Sequence, residues 1–187
     1  MKKTQIQRWF PMYKYLTVVF IFIAIVLAGS IFLVLLYSPV DTQTRLGYDG
    51  FLLPEEGAAE SCTVSIGGTM RTYRLNVRQP QFFNNVYNNK EGVLIDGQQI
   101  LNKLSLAWNE EDNRFTRMVR NGITFTTDRD LSFLLAVIPD GKDADFVAIA
   151  PAATEAEAKE LLRSIIEDPE FQRRWKDDAA ELKKYLD

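Results

Sequence analysis

The side chains that most enzymes use for nucleophilic chemistry are scarce in this chain of 187 residues. It contains no histidine and a single cysteine, Cys62. Ser-His and Cys-His nucleophile pairs are therefore excluded, because no imidazole is present to act as the base. A zinc site built from histidines or from several thiolates is excluded for the same reason, and one cysteine cannot form an intramolecular disulfide.

Carboxylates are the remaining candidates for chemistry. Asp140, Asp143 and Asp145 stand close together and suggest a calcium site, but their spacing lacks the ligand pattern of an EF-hand. We therefore favour a solvated turn, and we interpret the acidic segment 109–113 in the same way. General acid–base catalysis by a carboxylate pair stays open as an alternative, because several carboxylates fall near predicted turns: Glu110, Glu111, Asp112, Asp128 and Asp130.

Two further kinds of chemistry lack their sequence motifs. A Ser-Lys dyad would work without histidine, but neither a G-x-S-x-G nor an S-x-x-K motif occurs in the chain. The glycine-rich loops that cradle nucleotide phosphates are also missing. We therefore predict no cofactor and no bound metal.

Aromatic rings and amides are interleaved between Gln81 and Asn89. The rings of Phe82, Phe83 and Tyr87 are suited to stacking on a sugar or an extended peptide, with the neighbouring amides as hydrogen-bonding groups. The alternative is a connecting loop whose rings anchor it to the domain, and we favour it because packing explains aromatic residues more often than binding does. These three residues are nevertheless the candidate interaction site that the sequence offers.

The elements that position these residues begin with a long apolar segment. From Leu16 to Leu36 the chain has 21 residues without a charge. At about 1.5 Å per residue, a helix of this length spans the roughly 30 Å hydrocarbon core of a bilayer. Tyr15 and Tyr37 stand at its two ends, where aromatic rings prefer the interface. We predict a transmembrane helix over residues 15–37 that contacts the lipid bilayer through Leu16–Leu36.

Small residues inside this segment raise two alternatives. Ala28-Gly29-Ser30 resembles the cleavage site of a signal peptide, but six more apolar residues follow it, so we favour a retained anchor. Ala24 and Ala28 form a small-xxx-small pair, which lets two membrane helices approach closely and would support a weak homodimer. The background abundance of alanine in membrane helices explains the same pair, and we favour that explanation.

The charges around the segment predict its orientation. Lys2, Lys3, Arg8 and Lys14 precede it, with no acidic residue among them. Because basic residues concentrate on the cytoplasmic side of a membrane helix, we predict a cytoplasmic tail over residues 1–14 and an extracytoplasmic remainder. Of the 22 basic residues, 18 then stand against 25 acidic residues in the rest of the chain, a net charge of −7. Because binding to nucleic acid needs a basic surface, this net negative charge argues against nucleic acid as a partner.

Residues 38–60 are predicted to be a linker. Pro39 ends the helix, and the following GYDGFLLPEEGAA is rich in glycine, proline and acid. The folded domain is predicted over residues 61–187. Its first hairpin is expected to turn at Gly67-Gly68, in a register that places Cys62 on the apolar face as a core residue.

Further strands are predicted along the domain. Asn121-Gly122 between two alternating segments is the preferred sequence of a type I′ hairpin turn. The apolar runs Leu131–Ile138 and Asp145–Ala150 are typical of central strands. Val93–Ile95 is expected to be a strand, whereas Gln98–Trp108 fits either a short helix or a strand, with a strand favoured for its second half.

Two helices are predicted at the C-terminus. Thr154 and Glu157 match a capping box, and Asp168-Pro169 matches an N-cap followed by proline in the first helical position. Each helix carries one apolar face. The predicted fold class is therefore α+β, with one N-terminal transmembrane helix, a mainly antiparallel sheet domain, and two C-terminal helices packed on the sheet.

These patterns predict a single-pass protein of the cell membrane that displays an extracytoplasmic interaction domain. The domain would act as a binding module or as an accessory subunit of a membrane or envelope complex, with an unknown protein or envelope polymer as its partner. The missing N-x-[ST] sequon favours a bacterial surface. The alternative is a membrane-anchored hydrolase that uses carboxylate or Ser-Lys chemistry.

Overall fold

The computed structural model describes residues 3–73, 80–83, 91–108, 114–139 and 145–186, with side chains from residue 14 onward. The chain divides into two compact units. One is centred on the N-terminal helix, and the other, from Asp41 onward, contains the sheet and the C-terminal helices.

The N-terminal unit is one long helix, α1 (Lys3–Tyr37). Its apolar part, Lys14–Tyr37, has a mean hydropathy of 3.2, and none of it is buried. It is therefore long and apolar enough to cross a membrane, as the sequence predicts, although a signal sequence would meet the same two criteria. The backbone N–H of Ser38 donates to the carbonyl of Val34 at 2.9 Å, and Pro39 ends the helix there.

Ten strands form one sheet within the described residues. The main path follows the order β5-β4-β2-β1-β10-β9-β8-β7, and β3 pairs with both β2 and β6. All the pairings with a resolved register are antiparallel, which confirms the predicted sheet type. The strands are β1 (Pro39–Pro54), β2 (Glu60–Tyr73), β3 (Gln81–Phe83), β4 (Gly92–Ile95), β5 (Gln98–Leu101), β6 (Ser105–Ala107), β7 (Phe115–Arg120), β8 (Ile123–Asp128), β9 (Leu134–Pro139) and β10 (Asp145–Ala150).

Three sequence predictions about strands are confirmed. The hairpin between β7 and β8 turns at Asn121 (φ 54°) and Gly122 (φ 80°), the two left-handed conformations that a type I′ turn requires. Strands β9 and β10 pair along their full length. The predicted strand at residues 93–95 is β4, and both halves of the ambiguous segment after it contain a strand, β5 and β6, in place of the short helix considered for the first half.

The predicted linker is wrong for residues 39–54, which form strand β1. Phe51 pairs with Ile149 of β10, and Asp41 at the other end of β1 contacts Arg71 of β2. A Cβ on Gly50 would lie 2.4 Å from the carbonyl oxygen of Ile149. Gly50 therefore allows β1 and β10 to pack closely. The composition of residues 38–60, rich in glycine, proline and acid, had predicted a linker.

The predicted turn at Gly67-Gly68 is also wrong, because β2 runs through both residues. Gly67 pairs with Gly92 of β4, and neither Gly67 nor Gly68 has a positive φ. A Cβ on Gly68 would lie 2.5 Å from the carbonyl oxygen of Phe83 and 2.8 Å from the ring of Phe82. Gly68 is therefore needed for the close approach of β3, which the local sequence does not reveal.

The sheet curls so that β7, at one end of the main path, meets β6 of the branch that leaves β2 through β3. The hydroxyl of Thr116 on β7 donates to the carbonyl of Ala107 on β6 at 3.1 Å, and β6 returns through β3 to β2. The curled sheet surrounds one hydrophobic core, to which β2 and β3 contribute as well as β8, β9 and β10. Its members include Cys62, Val64, Ile66, Phe82, Leu106, Trp108, Phe125, Leu134 and Ala148.

The C-terminal helices cover the opposite face of β1, β7, β9 and β10. They are α2 (Glu155–Ile166), α3 (Pro169–Arg174) and α4 (Lys176–Leu182), followed by a short 3₁₀ turn (Lys183–Tyr185). The second predicted helix is thus interrupted at Trp175, whose φ of −140° and ψ of 53° are not helical. A second core forms between the helices and the sheet, from Leu53, Phe115, Phe133, Leu135, Val147, Ile149, Leu162, Ile165, Ile166, Phe171 and Leu182.

The predicted N-cap residues of α2 and α3 are present, but the Glu157 side chain binds the N–H of Ala153 in place of that of Thr154, so only half of the predicted capping box forms. The backbone N–H of Glu157 donates to the hydroxyl of Thr154 at 3.2 Å, while the Glu157 carboxylate accepts from the N–H of Ala153 at 2.8 Å. The Asp168 carboxylate accepts from the N–H of Glu170 at 2.8 Å. Helices α2 and α3 therefore begin where side-chain oxygens satisfy free N–H groups, whereas α4 has no side-chain cap.

Candidate functional site

The surface of α1 is the candidate site for contact with lipid and with a second membrane helix. Almost all its described side chains are exposed, including Ala24 and Ala28. The two alanines lie one helical turn apart on the same face, and a Cβ on neighbouring Gly29 would meet nothing within 4 Å. Contact of Leu16–Leu36 with lipid and a helix pair through the alanines both stay predictions.

Of the aromatic candidate site, Phe82 and Phe83 are described, and they do not form a common exposed surface. Phe82 is completely buried in the core inside the curled sheet, so its ring is not presented to a partner. Phe83 is partly buried, and the guanidinium carbon of Arg71 lies 4.9 Å from the centre of its ring. Tyr87 lies outside the described residues. The packing explanation, which the sequence also offered, accounts for Phe82.

The acidic candidates are only partly described. Asp140 and Asp143 lie outside the described residues, as does the segment 109–113, while Asp145 begins β10. Among the residues the structure does describe, no group of three or more acidic, histidine or cysteine side chains is arranged to hold a metal ion.

Cys62 is buried in the core, as predicted, with 6% of its surface exposed. Burial, and to a smaller extent the carboxylate of Asp96, raises the pKa of its thiol to about 11. Because the thiolate is the reactive form of cysteine, a pKa this high keeps the group inert at neutral pH.

A pocket of about 210 Å³ opens between the sheet and the C-terminal helices. We call it the α4 pocket. Strands β7 to β10 form its floor and α3, α4 and the 3₁₀ turn form its wall. Its lining residues are Arg117, Gly122, Thr124, Thr126, Leu135, Val137, Asp145, Phe171, Asp178, Glu181, Leu182 and Tyr185.

One ion pair forms part of the wall of the α4 pocket. Arg117 donates through both terminal nitrogens to the two carboxylate oxygens of Asp178, with Nη2–Oδ1 at 2.9 Å. Its guanidinium carbon also lies 5.7 Å from the centre of the Trp175 ring. The third nitrogen, Nε, is buried and has no hydrogen-bond partner within the described part of the chain. Arg117 therefore keeps one buried donor without a partner among the described residues.

Tyr185 is a buried polar residue beside Lys184. The residue is 3% exposed, and the amine of Lys184 lies 5.1 Å from the centre of its ring. Burial raises the pKa of Tyr185; the neighbouring Lys184 opposes this effect, and the carboxylates of Asp145 and Glu55 add to it.

The described lining of the α4 pocket contains three carboxylates and one basic group, Arg117. Asp178 is paired with Arg117, and Glu181 lies 4.0 Å from the amine of Lys184 with 61% of its side chain exposed. Asp145 forms no ion pair with the residues that the structure describes. Neither serine nor lysine is among the described lining residues.

Sequence reasoning found only Asp145 among these polar residues, and there as part of an acidic turn. Arg117, Asp178, Glu181 and Tyr185 come from β7 and the C-terminal helices, where each looks like an ordinary charged or capping residue. No local sequence signal marks them, because the interruption at Trp175, after which Asp178 meets Arg117, is seen only in the structure.

The chain matches no family model, no curated protein and no solved structure. Its function has to be inferred from its own residues.

Proposed function

We propose that this protein is a single-pass membrane protein whose sheet domain is an interaction module on the outer side of the cell membrane. The observation that carries the proposal is α1, in which the apolar part Lys14–Tyr37 is long enough to span a bilayer and has no buried residue. An apolar surface of this length is unfavourable in water, and lipid is the environment that satisfies it.

The orientation in this proposal rests on the flanking charges. Four basic residues precede the span and no acidic residue accompanies them, which favours a cytoplasmic N-terminus. The domain after the span is acidic and has an ordinary folded core. Both features support a water-facing domain that the anchor holds close to other membrane components, where its effective concentration is raised.

Membrane anchoring is tested by extraction with alkaline carbonate. We expect the full chain to stay in the membrane pellet, with the mass of the uncleaved protein. The double variant Phe22→Arg/Ile25→Arg should be extracted, because each arginine at the centre of a span costs about 2.5–3.5 kcal/mol. Gln7→Arg, which lies before the span, is the matched control. A soluble product that begins after Ser30 would show a cleaved signal sequence and refute the anchor.

Orientation is tested with single cysteines in a Cys62→Ser background. Glu160→Cys, on the exposed surface of α2, should react with a membrane-impermeant maleimide in intact cells. Thr4→Cys should react only after the membrane is opened. The reverse pattern would place the domain in the cytoplasm and overturn this part of the proposal.

A further inference from the structure

We propose that the start of β1 and the end of β2 contact the phospholipid headgroups of the outer leaflet. We call this lipid-contact surface the junction surface and define it by Tyr37, Val40 and Tyr73. The inference rests on the proposed membrane anchoring, and it adds a contact with lipid outside the span itself. It joins three observations: a short connection to α1, the register of two strands, and the place of an exposed apolar side chain.

The connection between the span and β1 is a single residue, Ser38. Helix α1 ends at Tyr37, and β1 begins at Pro39. The hydroxyl of Ser38 donates to the carbonyl of Val34 at 2.6 Å, which holds this residue against the last turn of α1. Because an extended chain covers at most about 3.6 Å per residue, Val40 lies within about 11 Å of Tyr37. The chain itself therefore keeps the start of β1 beside the end of the span.

The register of β1 with β2 brings a distant part of the chain to the same place. Asp41 accepts two hydrogen bonds from Arg71, both at 2.7 Å. The side-chain amide of Gln43 donates to the hydroxyl of Thr69 at 2.9 Å. Two residues forward along β1 thus match two residues back along β2, as in an antiparallel pair. Continued to the ends of the strands, this register places Tyr73 beside the first residue of β1.

The three residues of the junction surface belong to the same compact unit. This is the unit that contains α1, and it includes both Val40 and Tyr73. Tyr73 is remote from the span in sequence, so its place in this unit follows from the pairing of the strands and not from the local chain. The end of β2 therefore returns to the end of the span, where tyrosine side chains prefer to lie in a membrane protein.

The junction surface exposes apolar side chains. Among the described residues after Tyr37, two large apolar side chains are exposed, Val40 at 38% and Val119 on β7 at 61%. Tyr37 itself is 52% exposed, and Tyr73 is partly buried. A valine between two tyrosines, directly after an apolar span, suits the boundary between headgroups and acyl chains, where apolar and aromatic side chains are both favoured.

The charges near the junction surface also suit phospholipid. The strand segments Pro39–Tyr48 and Thr69–Tyr73 contain one acidic residue, Asp41, and two basic residues, Arg45 and Arg71. The net charge of −7 on the chain after its basic tail therefore arises elsewhere. Because anionic lipids attract basic groups and repel acidic ones, these segments can approach a membrane surface that repels the rest of the domain. The headgroup layer beside the span is the occupant that this surface fits.

The test measures the surroundings of a fluorophore at single sites of the full-length protein in nanodiscs of phosphatidylcholine and phosphatidylglycerol. In a Cys62→Ser background, the fluorophore NBD is attached to Thr72→Cys, because Thr72 is exposed next to Tyr73. We expect quenching by phosphatidylcholine that carries a spin label on its headgroup. Iodide in the water should quench this site several-fold less than Val119→Cys, which is the matched control because Val119 is the other exposed apolar position.

Variants connect this shielding to the junction surface. Val40→Asp combined with Tyr73→Ser should raise iodide quenching at the labelled position 72 towards the value at Val119→Cys, because a charge and a lost ring both disfavour the interface. Tyr73→Phe keeps the ring and should retain the shielding. Val119→Asp introduces the same charge away from the junction surface and should leave the shielding unchanged. Denaturant unfolding of each variant checks that its domain is folded.

Several results would overturn the proposal. Equal iodide quenching at position 72 and at Val119→Cys would show that the end of β2 lies in water. Protection from iodide without quenching by the spin-labelled lipid would show that protein covers the site, and it would reject lipid as the occupant. Shielding that the Val40→Asp/Tyr73→Ser variant leaves unchanged would contradict the role of these side chains. A protein that stays in the carbonate pellet but shows any of these results keeps its anchor and loses only the junction surface, so the two failures are distinguishable.

Discussion

Arg117 on β7 and Asp178 on α4 form a doubly hydrogen-bonded ion pair that joins the sheet to the C-terminal helices. Only 17% of the Arg117 side chain is exposed. We expect Asp178→Asn to lower the free energy of unfolding by about 2–3 kcal/mol, because a largely desolvated guanidinium loses its counter-charge. Denaturant unfolding followed by tryptophan fluorescence measures this change.

Glu160→Gln is the control for that comparison. Glu160 pairs with Arg163 on the surface of α2, and its side chain is 72% exposed. Exposed ion pairs contribute about 0–1 kcal/mol, so this variant should remain close to the parent protein. Equal effects of the two substitutions would contradict a structural role for the Arg117–Asp178 pair.

Phe82 and Phe83 are adjacent but differ in burial, which gives a second prediction. Phe82→Ala should destabilise the domain by about 3–5 kcal/mol, since it removes a ring from a closed core. Phe83→Ala should cost less, about 1 kcal/mol, because its ring is partly exposed and has Arg71 on one face. Thermal unfolding of the two variants in parallel measures the difference. Similar losses would argue against the placement of Phe82 in the core.

Gly68 should not tolerate a methyl group. Its Cβ would collide with the carbonyl oxygen of Phe83 and the ring of Phe82, so we expect Gly68→Ala to destabilise the fold by about 1–3 kcal/mol. Gly47→Ala is matched in type, because its Cβ would lie an ordinary 3.8 Å from Ser65, and it should be neutral or slightly stabilising. Denaturation midpoints compare the two, and a tolerated Gly68→Ala would mean that β3 does not pack against β2 in this way.

The raised pKa of the Cys62 thiol should make the stability of the folded domain depend on pH. Its pKa is about 11 in the folded protein, above the ordinary value of 9.0. The folded state therefore holds the thiol proton more tightly, so this group leaves stability unchanged below about pH 9 and reduces it as the pH rises towards about 11. Unfolding free energies from pH 8 to 11 should fall more steeply in the parent than in Cys62→Ala. Parallel curves would exclude a raised thiol pKa.

Local patterns were sufficient where a turn or a cap is determined by neighbouring residues. Asn121-Gly122 and Thr154 are of this kind, because the required conformation and the capped N–H groups lie within a few positions. Gly68 led to the wrong prediction of a turn, because a glycine is needed there for the close approach of Phe82 on β3, which the local sequence does not show. Strand β1 was missed for a related reason: its partners are remote, and its composition alone resembles a linker.

The α4 pocket was not predictable from local patterns either. Arg117, Asp145 and Asp178 lie on three different elements, and Arg117 and Asp178 are 61 positions apart in the chain. Only the register of the sheet and the break at Trp175 bring their charges together. Sequence periodicity indicated most of the helices and strands, but it carries no information about which polar side chains will face one another.

The pairing of β1 with β10 also determines when the domain can fold. Phe51 pairs with Ile149, and the hydroxyl of Tyr48 donates to the carbonyl of Leu131, 83 positions later. During synthesis, the first strand therefore emerges long before its neighbour in the sheet exists, and such distant pairings form slowly. An early segment of the domain must stay soluble while it waits, so chains that stop before residue 145 would leave the edge of β1 unpaired and prone to aggregation.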